Sequence, residues 1–176
     1  ERDRKRGIIN RPVRAMVVGI PNVGKSTFIN SFAKKACTKT GNKPGVTKGK
    51  QWIRLSKTLE LLDTPGILWP KFDDQEVGLR LAYIGSINDE ILTKSELALK
   101  FIEFLKINYC NALTDRYNID IDVQNSENFE ILKQIAIARL CLLKGNEPDL
   151  DKAAAILFDD FRSGRLGRMT LEEIPE

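Results

Sequence analysis

The sequence predicts an α/β unit built around a phosphate-binding loop, followed by an all-α unit. Three observations lead there. A Val-rich run, a glycine loop and a helical pattern follow one another across residues 13–36. Two further strand-like runs follow, at 51–56 and 58–66, and strand-type alternation then stops. From there on only helical spacing of apolar residues recurs.

Taken in order, "VRAMVVG" (13–19) is short, apolar and closed by Gly, which predicts a buried strand. "KSTFINSFAKKA" (25–36) predicts a helix whose apolar face is Phe28, Ile29, Phe32, Ala33 and Ala36. Residues 37–50 are polar with Gly and Pro breakers, a loop. "QWIRLS" and "TLELLDTPG" predict two strands joined by a tight connection at Ser56–Lys57. "DDQEVGLRLAYIGSI" carries a helix. "TKSELALKFIEFLK" (93–106) carries another, opened by a Thr93–Glu96 capping box, with Leu97, Ala98, Phe101, Ile102 and Leu105 on one face. A third is expected over 127–144, with Phe129, Leu132, Ala136, Leu140 and Leu143 inward, and a fourth over 150–163, stopped at Ser163–Gly164. The expected domains are 1–88 and 89–176, with the boundary falling near 85–93.

Composition narrows the chemistry. The chain has 176 residues, three scattered cysteines and no histidine. Zinc sites of closely spaced Cys or His are excluded, as is a catalytic dyad using a His of this chain. Isolated cysteines read as ordinary thiols in a reducing compartment. No apolar run approaches the roughly 18 residues of a membrane span. The charged opening "ERDRKRGIINRP" lacks a secretory core, and its acids and missing Ser argue against a transit peptide. The expectation is a cytoplasmic protein without membrane contact, a mitochondrial one staying open if the chain is a fragment. The net charge of +4 conceals an asymmetry: residues 1–60 hold 15 Lys/Arg against three acids, and the remainder holds 13 against 21. A field this lopsided suits a polyanion, although a solvated basic face reads equally well from charge alone.

"GIPNVGKST" (19–27) fits G-x-x-x-x-G-K-[ST] in the strand–loop–helix setting that motif requires, which makes the α/β unit a P-loop NTPase. Gly19 and Gly24 let the backbone bend towards phosphate. Backbone N–H groups of the 22–27 stretch converge on an anion at a helix N-terminus, so Pro21, Asn22, Val23, Gly24, Lys25, Ser26 and Thr27 form the nucleotide cradle. Lys25 is expected to reach the β- and γ-phosphates, and the Ser26 hydroxyl to ligate Mg²⁺. Asp63, ending a strand before Thr64-Pro65-Gly66, has the Walker-B position for the metal or its water. Gly66 lets a backbone N–H approach the γ-phosphate. Thr47 in "NKPGVT" can ligate Mg²⁺ only when that phosphate is present, and so can switch. Catalytic roles therefore fall to Lys25, Thr47, Asp63 and Gly66, and metal ligation to Ser26, Thr47 and Asp63.

These elements resemble the translation-factor-like GTPases. The longer run "GIPNVGKST…NKPGVTKGKQW…LELLDTPGILWPKF", with "VGLRLA" and "DFRSGRLGRMTLE", is similar to the ribosome biogenesis GTPase A (RbgA/YlqF) family, over about Arg11 to Glu173. The resemblance implies GTP and GDP as ligands, Mg²⁺ as cofactor, and a cytoplasmic switch in assembly of the large ribosomal subunit that contacts its rRNA. It also implies a circularly permuted domain whose guanine-reading motifs precede the phosphate loop. None lies downstream here, since "NKPG" at 42–45 has Gly in place of Asp. The chain is therefore expected to be a fragment or to start late, and its own residues leave ATP open. The position of the water-orienting Gln is taken by Ile67, followed by Leu68, and neither can hold water by a hydrogen bond. The resemblance implies a His nearer the N-terminus and stimulation by the ribosomal subunit. Asn22 is similar to the K⁺ ligand of potassium-activated GTPases, or simply stabilises the loop. For RNA, Lys34, Lys35, Lys48 and Lys50 flank the switch loop. Arg162, Arg165 and Arg168 either contact phosphate or complement a helix end. The expected oligomeric state is a monomer. Two rivals remain: an RNA-modification GTPase of the same superfamily, and a non-hydrolysing rRNA-binding module.

Overall fold

The computed structural model describes residues 12–34, 49–68, 72, 74–87 and 92–172. The chain separates into two compact units. One comprises Glu1–Asp73 with Gly85–Asn88, the other Asp74–Ile84 with Asp89–Glu176. Residues 74–84, which the sequence placed in the α/β domain, thus group with the helices.

The first unit holds a three-stranded sheet of order β1-β3-β2. β1 (Val13–Val17) runs parallel to β3 (Leu59–Asp63), and β2 (Gln51–Arg54) antiparallel to it. The β2–β3 connection is closed by backbone bonds from Leu55 and Ser56 to the Leu59 carbonyl (3.0 and 3.2 Å), and the Ser56 hydroxyl takes the Thr58 N–H at 3.1 Å. α1 (Lys25–Ala33) follows β1 and stops at Lys34, whose φ of 53° is left-handed. Ile29, Ile53 and Leu61 form a small core, with Val17, Leu55 and Leu59 packed against it.

Two expectations fail here. β1 is not buried: Val13 and Met16 are 64% and 60% exposed. Among the described residues it pairs with β3 alone, so it is an edge strand with little packed on its faces. The predicted face of α1 also divides. Ala36 lies outside the described residues; of the described ones on that face only Ile29 is in the core, while Phe28 and Phe32 are each 56% exposed and stack on one another at 6.0 Å. Phe28 and Phe32 are four residues apart and share a ridge about 100° round the helix from Ile29, so spacing alone cannot choose which ridge meets the sheet.

The second unit comprises α2 (Gln75–Tyr83), α3 (Lys94–Asn108), α4 (Ala112–Tyr117), α5 (Asn128–Ala138) and α6 (Leu150–Arg162). The capping box that opens α3 is formed in both directions. Leu97, Ala98, Phe101, Ile102 and Leu105 are all buried, as the helical spacing predicts. α3 packs against α5 and α6, and Tyr83 and Phe161 close on the Phe101 ring at 4.8 and 4.7 Å. α6 ends at Ser163, ahead of Gly164 with φ 75°, where the sequence placed its stop.

α5 ends earlier than expected, at Ala138. Leu140 takes a left-handed φ of 52°, and the chain then doubles back through Gly145 and Asn146 to bridge Leu142 with Pro148. Leu140 and Leu143, assigned to the inward face, are consequently 77% and 53% exposed. Phe129, assigned with them, is 52% exposed. α4 is absent from the sequence reading because six residues do not complete two turns of apolar period.

Candidate phosphate-binding site

The parallel register of β1 and β3 places Val17 beside Asp63, so two strands end together at the start of the glycine loop. The Thr64 hydroxyl, itself buried, donates to the Val17 carbonyl at 2.8 Å and pins the two strand ends. The loop then climbs to Gly24, whose φ of 89° lets the chain enter α1 directly. No side chain caps that end of the helix. The first-turn N–H groups therefore face the loop rather than a competing acceptor of their own helix.

Lys25 folds back over this loop. Its Nζ donates to the carbonyls of Ile20 (2.7 Å) and Gly19 (3.0 Å). Partial burial lowers its pKa, opposed by the charge of Asp63. Asp63 is 1% exposed and accepts the Ser26 hydroxyl on Oδ2 at 3.2 Å. Its other oxygen, Oδ1, is buried with no hydrogen-bond partner among the described residues. A buried carboxylate oxygen without a partner is costly unless something else satisfies it. An unsatisfied carboxylate oxygen beside a hydroxyl is the all-oxygen donor set that Mg²⁺ prefers, so these residues fit the ion.

Gly66 turns out to serve the loop in a way the sequence reading missed. A Cβ built there would lie 2.4 Å from both the Cα and the backbone N of Pro21. Its lack of a side chain is thus required by close packing of the D-x-x-G turn on the phosphate loop. Pro21 and Asn22 are held from elsewhere as well. The Ser86 hydroxyl donates to the Pro21 carbonyl at 2.7 Å, and the Asn22 amide donates to the Gly85 carbonyl at 3.3 Å. Ser86, Gly85 and Thr64 have no motif spacing that would have disclosed them. Of the other cradle residues, Val23 and Thr27 are exposed. Ile67, at the place of a water-orienting Gln, is 77% exposed and apolar.

The proposed RNA contacts are placed unevenly. Lys34 and Lys50 are exposed, whereas Lys35, Lys48 and Thr47 lie outside the described residues. In the helical unit, Arg162 donates to the carbonyls of Tyr83 (2.7 Å) and Ala82 (2.8 Å), and lies over the Phe158 ring. Arg165 pairs with Asp159 and Asp160. Both guanidiniums thus serve the fold, and Arg168 has no ion pair among the described residues.

A family model described as 50S ribosome-binding GTPase matches residues 14–138, which takes in the glycine loop, Asp63 and Ser86. The chain belongs to this family. Its fold is similar to that of solved structures. The GNP-bound YlqF of Thermotoga maritima superposes with a TM-score of 0.57 at 27% identity, over 96% of this chain and 62% of that one. A GDP-bound YlqF gives 0.59, also at 27% identity, over 96% and 63%. Ribosome biogenesis GTPase A of Bacillus cereus is 48% identical over 167 residues, 95% of this chain and 56% of that protein. The chain thus spans less than two thirds of the length of each of these relatives.

Proposed function

We propose that this chain carries the phosphate- and metal-binding part of a Mg²⁺-dependent GTPase switch acting in large ribosomal subunit assembly. The observation that carries the reading is the buried Asp63 carboxylate, bonded to Ser26 through one oxygen and without a partner among the described residues at the other, at the mouth of the glycine loop. Asp63 and Ser26 would hold Mg²⁺, which when bound neutralises charge on the phosphate oxygens. Thr47 is proposed to join them when a γ-phosphate is present. Lys25, now satisfied by two loop carbonyls, exchanges them for phosphate oxygens, a stronger charge-assisted pairing. The Asn22 amide nitrogen is committed to Gly85, so its Oδ1 is the end that would serve a K⁺ ion. Guanine as the base, and YlqF-like GDP and GNP binding, are carried over from the relatives.

Two measurements test this. Lys25→Ala should weaken binding of fluorescent GTP by about 100-fold or more, since a charge-assisted contact to two phosphates is lost. Retention of parental affinity would remove the site. Hydrolysis by the parent should be slow, on the order of 10⁻⁴ s⁻¹, because Ile67 cannot orient water. It should rise about 10³-fold or more when large subunits and K⁺ are added. A rate indifferent to both would favour a non-hydrolysing rRNA-binding module. The proposed partner is the large-subunit precursor, with Lys34, Lys50 and Arg168 as its rRNA contacts.

A further inference from the structure

The chain leaves α2 at Ile84 and turns at Gly85, whose φ of 73° is left-handed. The next two backbone steps meet the phosphate loop. Gly85 accepts the Asn22 amide, and Ser86 donates its hydroxyl to Pro21. Ser86 is 1% exposed, one of only a few polar residues buried among the described residues. Burying a hydroxyl is unfavourable unless it is hydrogen-bonded, and here its acceptor is a loop carbonyl. Proline has no N–H, so that carbonyl is the only backbone hydrogen-bonding group Pro21 possesses.

The contact sits at the least relaxed point of the loop. Asn22, directly after Pro21, has φ 58°, a left-handed value that costs a non-glycine residue free energy and persists only where neighbours hold it. Gly66 blocks Pro21 on one side, through the backbone approach described above. Ser86 and Gly85 hold Pro21 and Asn22 by hydrogen bonds. Releasing the Pro21 carbonyl would let Asn22 relax towards negative φ and turn the following N–H groups away from an anion in the loop.

We propose that Ser86 is a positioning residue for the phosphate loop, acting through Pro21 to set nucleotide affinity. The inference rests on the reading that the loop holds the nucleotide phosphates. It does not require Ser86 to touch the nucleotide.

The test uses the full chain with mant-GDP and mant-GMPPNP, and compares Ser86→Ala with Lys25→Ala. Ser86→Ala should weaken both nucleotides by about 5- to 20-fold, the worth of one hydrogen bond plus the unmet acceptor, with binding stoichiometry unchanged. Ser86→Cys keeps the side chain's shape but replaces a strong donor with a weak one, and should lose a similar factor. Parental affinity in Ser86→Ala or Ser86→Cys, with binding abolished in Lys25→Ala, sinks the clamp and leaves the site. Parental affinity in Lys25→Ala sinks both. A fall in stoichiometry at unchanged affinity shows that Ser86 maintains folding instead, and likewise overturns the proposal.

Discussion

Gly66→Ala is expected to weaken nucleotide binding by roughly 10- to 100-fold while leaving the helical unit's melting unchanged. The added methyl carbon would stand 2.4 Å from Pro21 Cα and backbone N, and 2.8 Å from the Ile20 carbonyl carbon. All three are backbone atoms, which cannot step aside as a side chain tip can. Relief must come from moving the turn after Asp63 or moving the glycine loop. Either displaces the pairing of Ser26 with Asp63. Overpacking of this kind typically costs about 1–3 kcal/mol, and here the strain falls on the proposed binding loop itself. Titration with mant-GDP, beside a thermal scan, reads both halves of the expectation. Near-parental affinity would mean that the close approach of Gly66 to Pro21 is not needed for binding.

The second large effect is expected in the helical unit. Asp160 is 2% exposed, yet it is charged and engages two arginines. Arg116 grips it bidentately, Nε to Oδ2 at 2.9 Å and Nη2 to Oδ1 at 3.0 Å, and Arg165 bonds Oδ1 from its Nε. Burial by itself would raise the carboxyl's pKa. The Arg116 and Arg165 hydrogen bonds overcome it and hold the group at about 2, against an ordinary 3.8. Asp160→Asn keeps the shape and removes the charge, which strands two cations over a buried amide. The loss should be about 3 kcal/mol, the lower end for breaking a buried pair because both arginines keep some solvent contact. That corresponds to a fall of roughly 10–20 °C in the unit's Tm.

The same group gives the expected pH response. Folding lowers the Asp160 pKa, so the folded state favours the ionised form. Its contribution is full above the unfolded value near 3.8 and is lost as pH falls through the folded value near 2. The parent should lose on the order of 2 kcal/mol over that window from this group. Asp160→Asn should lack that component, and equal acid lability of the two proteins would argue against it. The same network explains why Arg165 is a poor candidate for an RNA contact: its charge is already spent on Asp159 and Asp160.

Features written into short stretches of chain were legible. The glycine loop, the Asp63 strand end, the α3 capping box and the α6 stop each depend on residues within a few positions of one another, and local backbone chemistry enforces them. Which ridge of α1 meets the sheet was not legible, because Phe28 and Ile29 are equally apolar and only the position of β3 chooses between them. The use of Arg162 on the end of α2, 79 and 80 positions earlier, left no trace in periodicity or charge. Nor did the reach of Ser86 back across 65 positions to Pro21. The sequence by itself determined the glycine loop, the helix that starts at Lys25 and the strand that ends at Asp63, and it named Lys25, Ser26 and Asp63 as the residues proposed to meet phosphate and metal. Only the tertiary structure decided what holds that loop in shape, because contacts between distant positions depend on where the chain returns, and no local pattern records that return.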